Sequence, residues 1–393
     1  MHRFRRIAGS AVLAAALITG GMAVATPVEV AAASTTEKLI YGAAALLLVS
    51  QYYSKLDDQG QAQFYEQCRR QTGVDENPAD NNRVQRIYQS LRDTGSVKRN
   101  YKVYVSPDKD FNAFMSLGGV MCVNKGALDV LDDDELAYVM AHELTHGEKR
   151  HSVAGVKKQV GLVTAVNIYL SDNPSLGALL LGNIAANYVS NAVFTKDQEK
   201  QADDIGFDYL VDAGYNPGAA AASMQVLYNK YGNSAPSGIK AVVAPGNHPA
   251  TSDRINKNVK RMYDYSNRHV NVKDGWIIVN GDKTFQPAAR GRYTKEERTY
   301  LSAGKLARLF HEHKAGDMVL LGNKISCGDT TVYTVSRTED GNSIVDSLNK
   351  AIAKNPGTDD KDVWKDSLKK ADTSSQNKTA KTTVTSRKQQ KAD

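Results

Sequence analysis

The chain has 393 residues, 41% of them hydrophobic, a formal net charge of +7 and a pI near 9.0, which is enough apolar material for a sizeable core. The basic balance does not carry a nucleic-acid function: no aromatic-interleaved basic motif accompanies it, and part of the charge lies in the two terminal segments, so weak attraction to an anionic membrane or envelope surface suits it better. Cysteine usage is low, and Cys68, Cys122 and Cys327 cannot all pair internally; one bridge, or a simply buried Cys122, both stay open.

Arg3, Arg5 and Arg6 precede an apolar stretch from Ile7 to Ala25, and small-residue cleavage patterns end at Ala25 and Ala33. Residues 1–33 are therefore expected to be a secretory signal peptide, with the mature protein extracytoplasmic, either periplasmic or secreted. Leu39–Val49 is apolar but short for a membrane span, and it reads as a helix packed on the domain. Tyr101–Val105 is β-rich and is followed by Asn112-Ala113-Phe114.

His142-Glu143-Leu144-Thr145-His146 carries the most chemistry. Four residues on a helix return to nearly the same face, so both imidazoles can reach one metal ion and Glu143 can reach a water beside it as general base. Asp132 and Glu135 give a helix-start signal, and Leu136, Val139, Met140 and Leu144 recur at helical spacing. A metzincin would continue the motif with glycine and histidine at positions 149 and 152, where Lys149 and Ser152 stand. His151 is one residue out of phase and is expected at the helix end, partly protonated and favoured by the dipole.

Val160–Val193 is apolar, broken by Asp172, Asn173 and Pro174, and reads as two linking helices. Thr195 and Gln198 open a further helix by a capping pattern, and Gly214 and Pro217 mark its far end. Glu199 is the expected third metal ligand, since a catalytic zinc takes three protein ligands and keeps one position for water. Asp203, one turn on, is placed to accept the free ring N–H of a liganding histidine.

After residue 265 the composition changes. Trp276–Val279 and Lys283–Phe285 flank Asn280-Gly281-Asp282 as a hairpin, Met318–Leu321 and Thr330–Val335 read as strands, and Thr299–His313 reads as a helix. The expected organisation is a peptidase domain over 34–265, a small α+β module over 270–353, and a basic tail over 355–393 too poor in large apolar groups to fold.

Four ordered motifs across about residues 80–265 resemble the HtpX-like and CaaX-prenyl-protease-like zinc metallopeptidases, and particularly their soluble periplasmic BepA-like members. They are Asn112-Ala113-Phe114 with Gly118-Gly119, the His142–His146 motif with His151, Glu199-Lys200-Gln201-Ala202-Asp203, and His248-Pro249 with Arg254-Ile255. The departure is local: Met115-Ser116-Leu117 replaces the usual small or proline-containing link between the first pair. The resemblance implies a mainly α (α+β) zincin-like domain of gluzincin type with a small β-rich C-terminal module. It implies one zinc per chain on His142, His146 and Glu199, with Glu143 as general base. It also implies that His248 and Arg254 approach the active site, His248 either hydrogen-bonding an oxyanion or occupying the open zinc position at rest. A strand edge at Asn112-Ala113-Phe114 is expected to hold an extended polypeptide.

The reading is a zinc-dependent endopeptidase acting on unfolded or misassembled envelope proteins. Its alternative is a non-proteolytic, chaperone-like envelope protein with a structural or regulatory zinc site, for which a base beside the first ligand has no use. Hydrolysis of cell-wall peptide bonds shares the zinc chemistry but has only location in its support.

Overall fold

The computed structural model describes residues 50–51, 53–158, 194–233 and 250–361, with the single positions Leu47 and Trp364. The expected signal peptide, linking helices 160–193 and His248-Pro249 lie outside the described residues, as do most of Leu39–Val49 and most of the basic tail; the start of that tail departs from expectation, since Trp364 is buried and meets Tyr265 edge-on. By its contacts the chain divides into two compact units, Met1–Ala213 with Leu227–Thr251, and Gly214–Val226 with Ser252–Asp393. Among the described residues no helix is long and apolar enough to cross a membrane.

The first unit is built on a three-stranded sheet in the order β1-β3-β2, comprising β1 (Lys102–Ser106), β2 (Ala113–Ser116) and β3 (Val120–Asn124). β3 is central, parallel to β1 and antiparallel to β2. Successive side chains of a strand point to opposite faces, and here both faces are covered. Tyr104, Cys122 and Phe114 join Phe64 and Cys68 of helix α1 (Gln61–Thr72) in one apolar cluster. Helices α2 (Pro78–Asp93), packed on β1, and α4 (Asp133–Glu148), packed on β2 and β3, supply further cover, with Ile87, Leu91, Leu136, Met140 and Leu144 fully buried. A short helix α3 (Lys125–Leu128) joins β3 to α4, and α5 (Lys196–Asp212) packs against α4.

Local signals set the helix starts. Asn77 caps α2 through the Ala79 N–H, with Pro78 at its first position, where a missing N–H costs nothing. Asp132 and Glu135 form a complete capping box on α4, and Thr195 and Gln198 form one on α5, as expected from their spacing. Each box satisfies two N–H groups that the helix itself cannot.

The second unit contains most of α6 (Ala219–Tyr231), then α7 (Thr251–Tyr265), α8 (Lys295–His311), α9 (Gly341–Lys354) and two antiparallel three-stranded sheets. One sheet runs β4 (Val270–Lys273), β5 (Trp276–Val279), β6 (Asp282–Phe285), and the other β7 (Val319–Leu321), β8 (Lys324–Cys327), β9 (Thr330–Thr334). The expected β5–β6 hairpin is present, with Asn280 at φ 51° and Gly281 at φ 87°, the left-handed pair its tight turn needs. α8 starts a turn earlier than expected because Thr294 and Glu297 make a third capping box. Cys68, Cys122 and Cys327 are free and buried; burial raises the Cys68 thiol pKa and pushes that of Cys122 up to about 12.

Candidate metal centre

α4 and α5 cross closely enough to bring side chains from both onto one point. Gly206 of α5 lies against the backbone of α4, where an added Cβ would stand 3.0 Å from the His142 nitrogen. Its missing side chain lets the helix carrying Glu199 and Asp203 approach the helix carrying the two histidines.

The result is a buried triad. Nε2 of His142 and Nε2 of His146 are 3.2 Å apart, and each is 3.6 Å from a different oxygen of Glu199. His142 is 7% exposed, His146 1% and Glu199 2%. Burial holds the His146 imidazole pKa well below its usual value, opposed by the Glu199 charge, so the neutral ring is favoured. Glu143 follows His142 on the chain and is half-buried.

The remaining ring nitrogens are each engaged. Nδ1 of His142 lies 3.1 Å from Oδ1 of Asp203, an acceptor in its ionised form, which also takes the Tyr138 hydroxyl at 3.2 Å. Nδ1 of His146 lies 2.9 Å from Nδ1 of His151. In the neutral ring, with Nδ1 of His142 donating to Asp203, Nε2 keeps a lone pair directed at Glu199 and His146. Two ring nitrogens and a carboxylate thus converge away from water, an electron-rich set that suits a cation. Two nitrogens bound tetrahedrally to one zinc at about 2.0–2.1 Å stand roughly 3.3 Å apart, which matches the observed separation. The residues present therefore fit a zinc ion.

His142, His146, Glu199 and Asp203 come together as the sequence implies. Ala113 and Phe114 lie on β2, an edge strand, against which α4 packs. The register settles which way that edge faces: Asn112 accepts from the Asn124 N–H, so Phe114 and Ser116 bond to β3, while the backbone groups of Ala113 and Met115 point outward. The Ser152 hydroxyl reaches the Met115 carbonyl at 3.4 Å. Arg254 is half-buried in the first turn of α7, which belongs to the second unit.

His151 departs from expectation. Arg150 turns back at φ 53° and ends the helical run, and His151 opens the next segment, buried rather than at a solvated helix end. Burial lowers its pKa despite a hydrogen bond to Gln201, so it is not the cation that the dipole would favour. Tyr138, Gln201, Gly206 and Phe194, which stacks on His146 at 3.7 Å and 19°, were also not singled out by the sequence. The one available signal was Gly206, three residues after Asp203 and so on its helix face.

Residues 78–262 match the family described as Peptidase family M48. Metalloprotease YcaL of Escherichia coli (strain K12) is 30% identical over 158 residues, covering 39% of this chain and 59% of that protein. Metalloprotease LoiP of the same strain is 34% identical over 132 residues, 33% of this chain and 51% of that protein. The Beta-barrel assembly-enhancing protease of that strain is 26% identical over 144 residues, 34% of this chain and 30% of that protein. The chain thus spans about half the length of the first two relatives and less of the third.

Proposed function

We propose that this chain, whose residues 78–262 match peptidase family M48, a family of zinc metallopeptidases, is a zinc-dependent endopeptidase that hydrolyses peptide bonds in extracytoplasmic proteins. The observation that carries this reading is the convergence of His142 Nε2, His146 Nε2 and Glu199 in one buried cluster, with a carboxylate on the residue that follows the first ligand.

His142, His146 and Glu199 hold the zinc, which when bound supplies Lewis-acid polarisation of the scissile carbonyl and of water. Asp203 holds His142 in the tautomer that a ligand requires. Glu143 takes the proton of the attacking water and delivers it to the departing amine nitrogen. The outward backbone groups of Ala113 pair with an extended substrate, which Asn112 and Phe114 flank, so that β2 gains a neighbour. On the strength of the motif resemblance alone, His248 either hydrogen-bonds an oxyanion or occupies the open zinc position at rest, and Arg254 belongs to the same motif.

The substrates that fit are unfolded or misassembled envelope polypeptides. An extended segment is what an edge strand accepts, the N-terminus reads as an export signal, and one relative is named for enhancing β-barrel assembly. The test is paired zinc content and casein cleavage for wild type and Glu143→Gln. One zinc in both with cleavage by wild type alone is expected. Cleavage by Glu143→Gln sinks the base assignment, and absence of zinc from both sinks the ligand set.

A further inference from the structure

The two histidine ligands are oriented by different devices. His142 donates to a carboxylate, Asp203. His146 has no carboxylate on its Nδ1; it meets another imidazole, that of His151, at 2.9 Å. The far side of that second ring decides what its near side can do. Nε2 of His151 lies 2.9 Å from Oε1 of Gln201, and an amide oxygen only accepts. Nε2 of His151 must therefore carry the proton. In the neutral ring that leaves Nδ1 as an acceptor, so Nδ1 of His146 is the donor and Nε2 of His146 presents a bare lone pair to Glu199 and His142.

We propose that His151 is a positioning residue for the metal centre, relaying the acceptor character of Gln201 through two imidazoles so that His146 is locked in the ligand-competent tautomer. This rests on the zinc-site reading above. The surroundings support it. His151 is 4% exposed, so its two ring nitrogens are answered by His146 and Gln201 rather than by water. Phe194 stacks on the His146 ring at 3.7 Å and fixes its plane. α5 thereby serves the site three times: Glu199 contacts both histidines, Asp203 orients His142 directly, and Gln201 orients His146 through His151.

Two variants separate the acceptor from the packing. His151→Phe keeps a ring in place and removes the acceptor. His151→Asn removes the ring and places an amide oxygen near the position of Nδ1. Zinc affinity is measured by chelator competition on the full chain, with circular dichroism to confirm the fold. His151→Phe is expected to bind zinc about 10–100-fold more weakly than wild type, the usual effect of losing a ligand's hydrogen-bond partner, and His151→Asn to recover most of that loss. Equal affinity in His151→Phe and wild type overturns the proposal, as does a His151→Asn protein as weak as His151→Phe. A second readout needs no variant and no bound metal: histidine 15N shifts of the chelated wild type are expected to show His146 protonated on Nδ1, and protonation on Nε2 overturns the relay. A wild type that binds no zinc condemns the metal-site reading itself, while the tautomer measurement still decides the relay.

Discussion

The Asp203 carboxylate lies 3.1 Å from Nδ1 of His142 and takes the Tyr138 hydroxyl on the same oxygen, at 3.2 Å. One oxygen thus anchors a ligand's ring and is itself anchored by the helix that bears the ligand, since Tyr138 and His142 are one turn apart on α4. Asp203→Ala is expected to weaken zinc binding about 10–100-fold. Tyr138→Phe removes one hydrogen bond from a buried acceptor and is expected to cost about 1 kcal/mol of stability with a smaller effect on zinc. Chelator competition and urea midpoints on both proteins check this pair of outcomes; zinc affinity unchanged in Asp203→Ala defeats the orienting role.

Gly206 makes a prediction whose sign is informative. In an exposed helix, replacing glycine by alanine stabilises by about 0.8–1 kcal/mol. At Gly206 the new methyl would meet the His142 nitrogen at 3.0 Å and its Cα at 3.1 Å, backbone atoms of a packed helix that cannot rotate away. Gly206→Ala is therefore expected to lower the melting temperature and, by moving Glu199 off the histidines, to weaken zinc binding. A more stable protein with unchanged zinc affinity would show that α4 and α5 have slack.

What the sequence made legible follows the range of each interaction. The capping boxes at Asp132–Glu135 and Thr195–Gln198 are contained within four residues, and His142 and His146 lie one helical turn apart, so spacing alone placed them. Glu199 and Asp203 required two helices to meet, and only the co-occurrence of motifs suggested it. The chain Gln201–His151–His146 was beyond reach because Gln201 is two residues from Glu199. Positions two apart on a helix do not share a face, so nothing in the α5 pattern marks Gln201 as a partner of the site. His151 was misread for a related reason. Its place after the motif suggested an α4 that continues to a solvated end, whereas Arg150 breaks the helix and folds His151 inward.

Removing the metal should be felt through the whole fold. Glu199 is 2% exposed and Asp203 1%, two carboxylates buried against the same imidazole, His142, an arrangement that a bound cation would relieve. Zinc that binds only the folded chain stabilises it by about 2.7 kcal/mol at a free concentration of one hundred times Kd. Chelation is expected to lower the melting temperature of wild type but to leave His146→Ala, which lacks a ligand, almost unchanged. Equal shifts in the two proteins would mean that the stabilising metal sits elsewhere.

Asp133, in the first turn of α4, gives a pH dependence away from the metal. Partial burial raises its pKa, but hydrogen bonds from Arg83 Nε at 2.7 Å and Arg86 Nη2 at 2.6 Å outweigh this and hold it below the usual carboxylate value. A carboxyl whose pKa is lower folded than unfolded contributes stability that is complete above the unfolded value, near 3.9, and is lost as pH falls through the folded one. Arg83 also donates to the Leu128 and Leu131 carbonyls, so the pair ties α2 to the segment leading into α4. Because the Asp133 side chain is 46% exposed, solvent screening limits the effect to about 0.2–1 kcal/mol. Urea midpoints of zinc-free wild type and Asp133→Asn should differ at pH 7 and converge as the pH is lowered through 4 toward 3. A gap that persists undiminished at pH 3 would place the contribution in packing rather than charge.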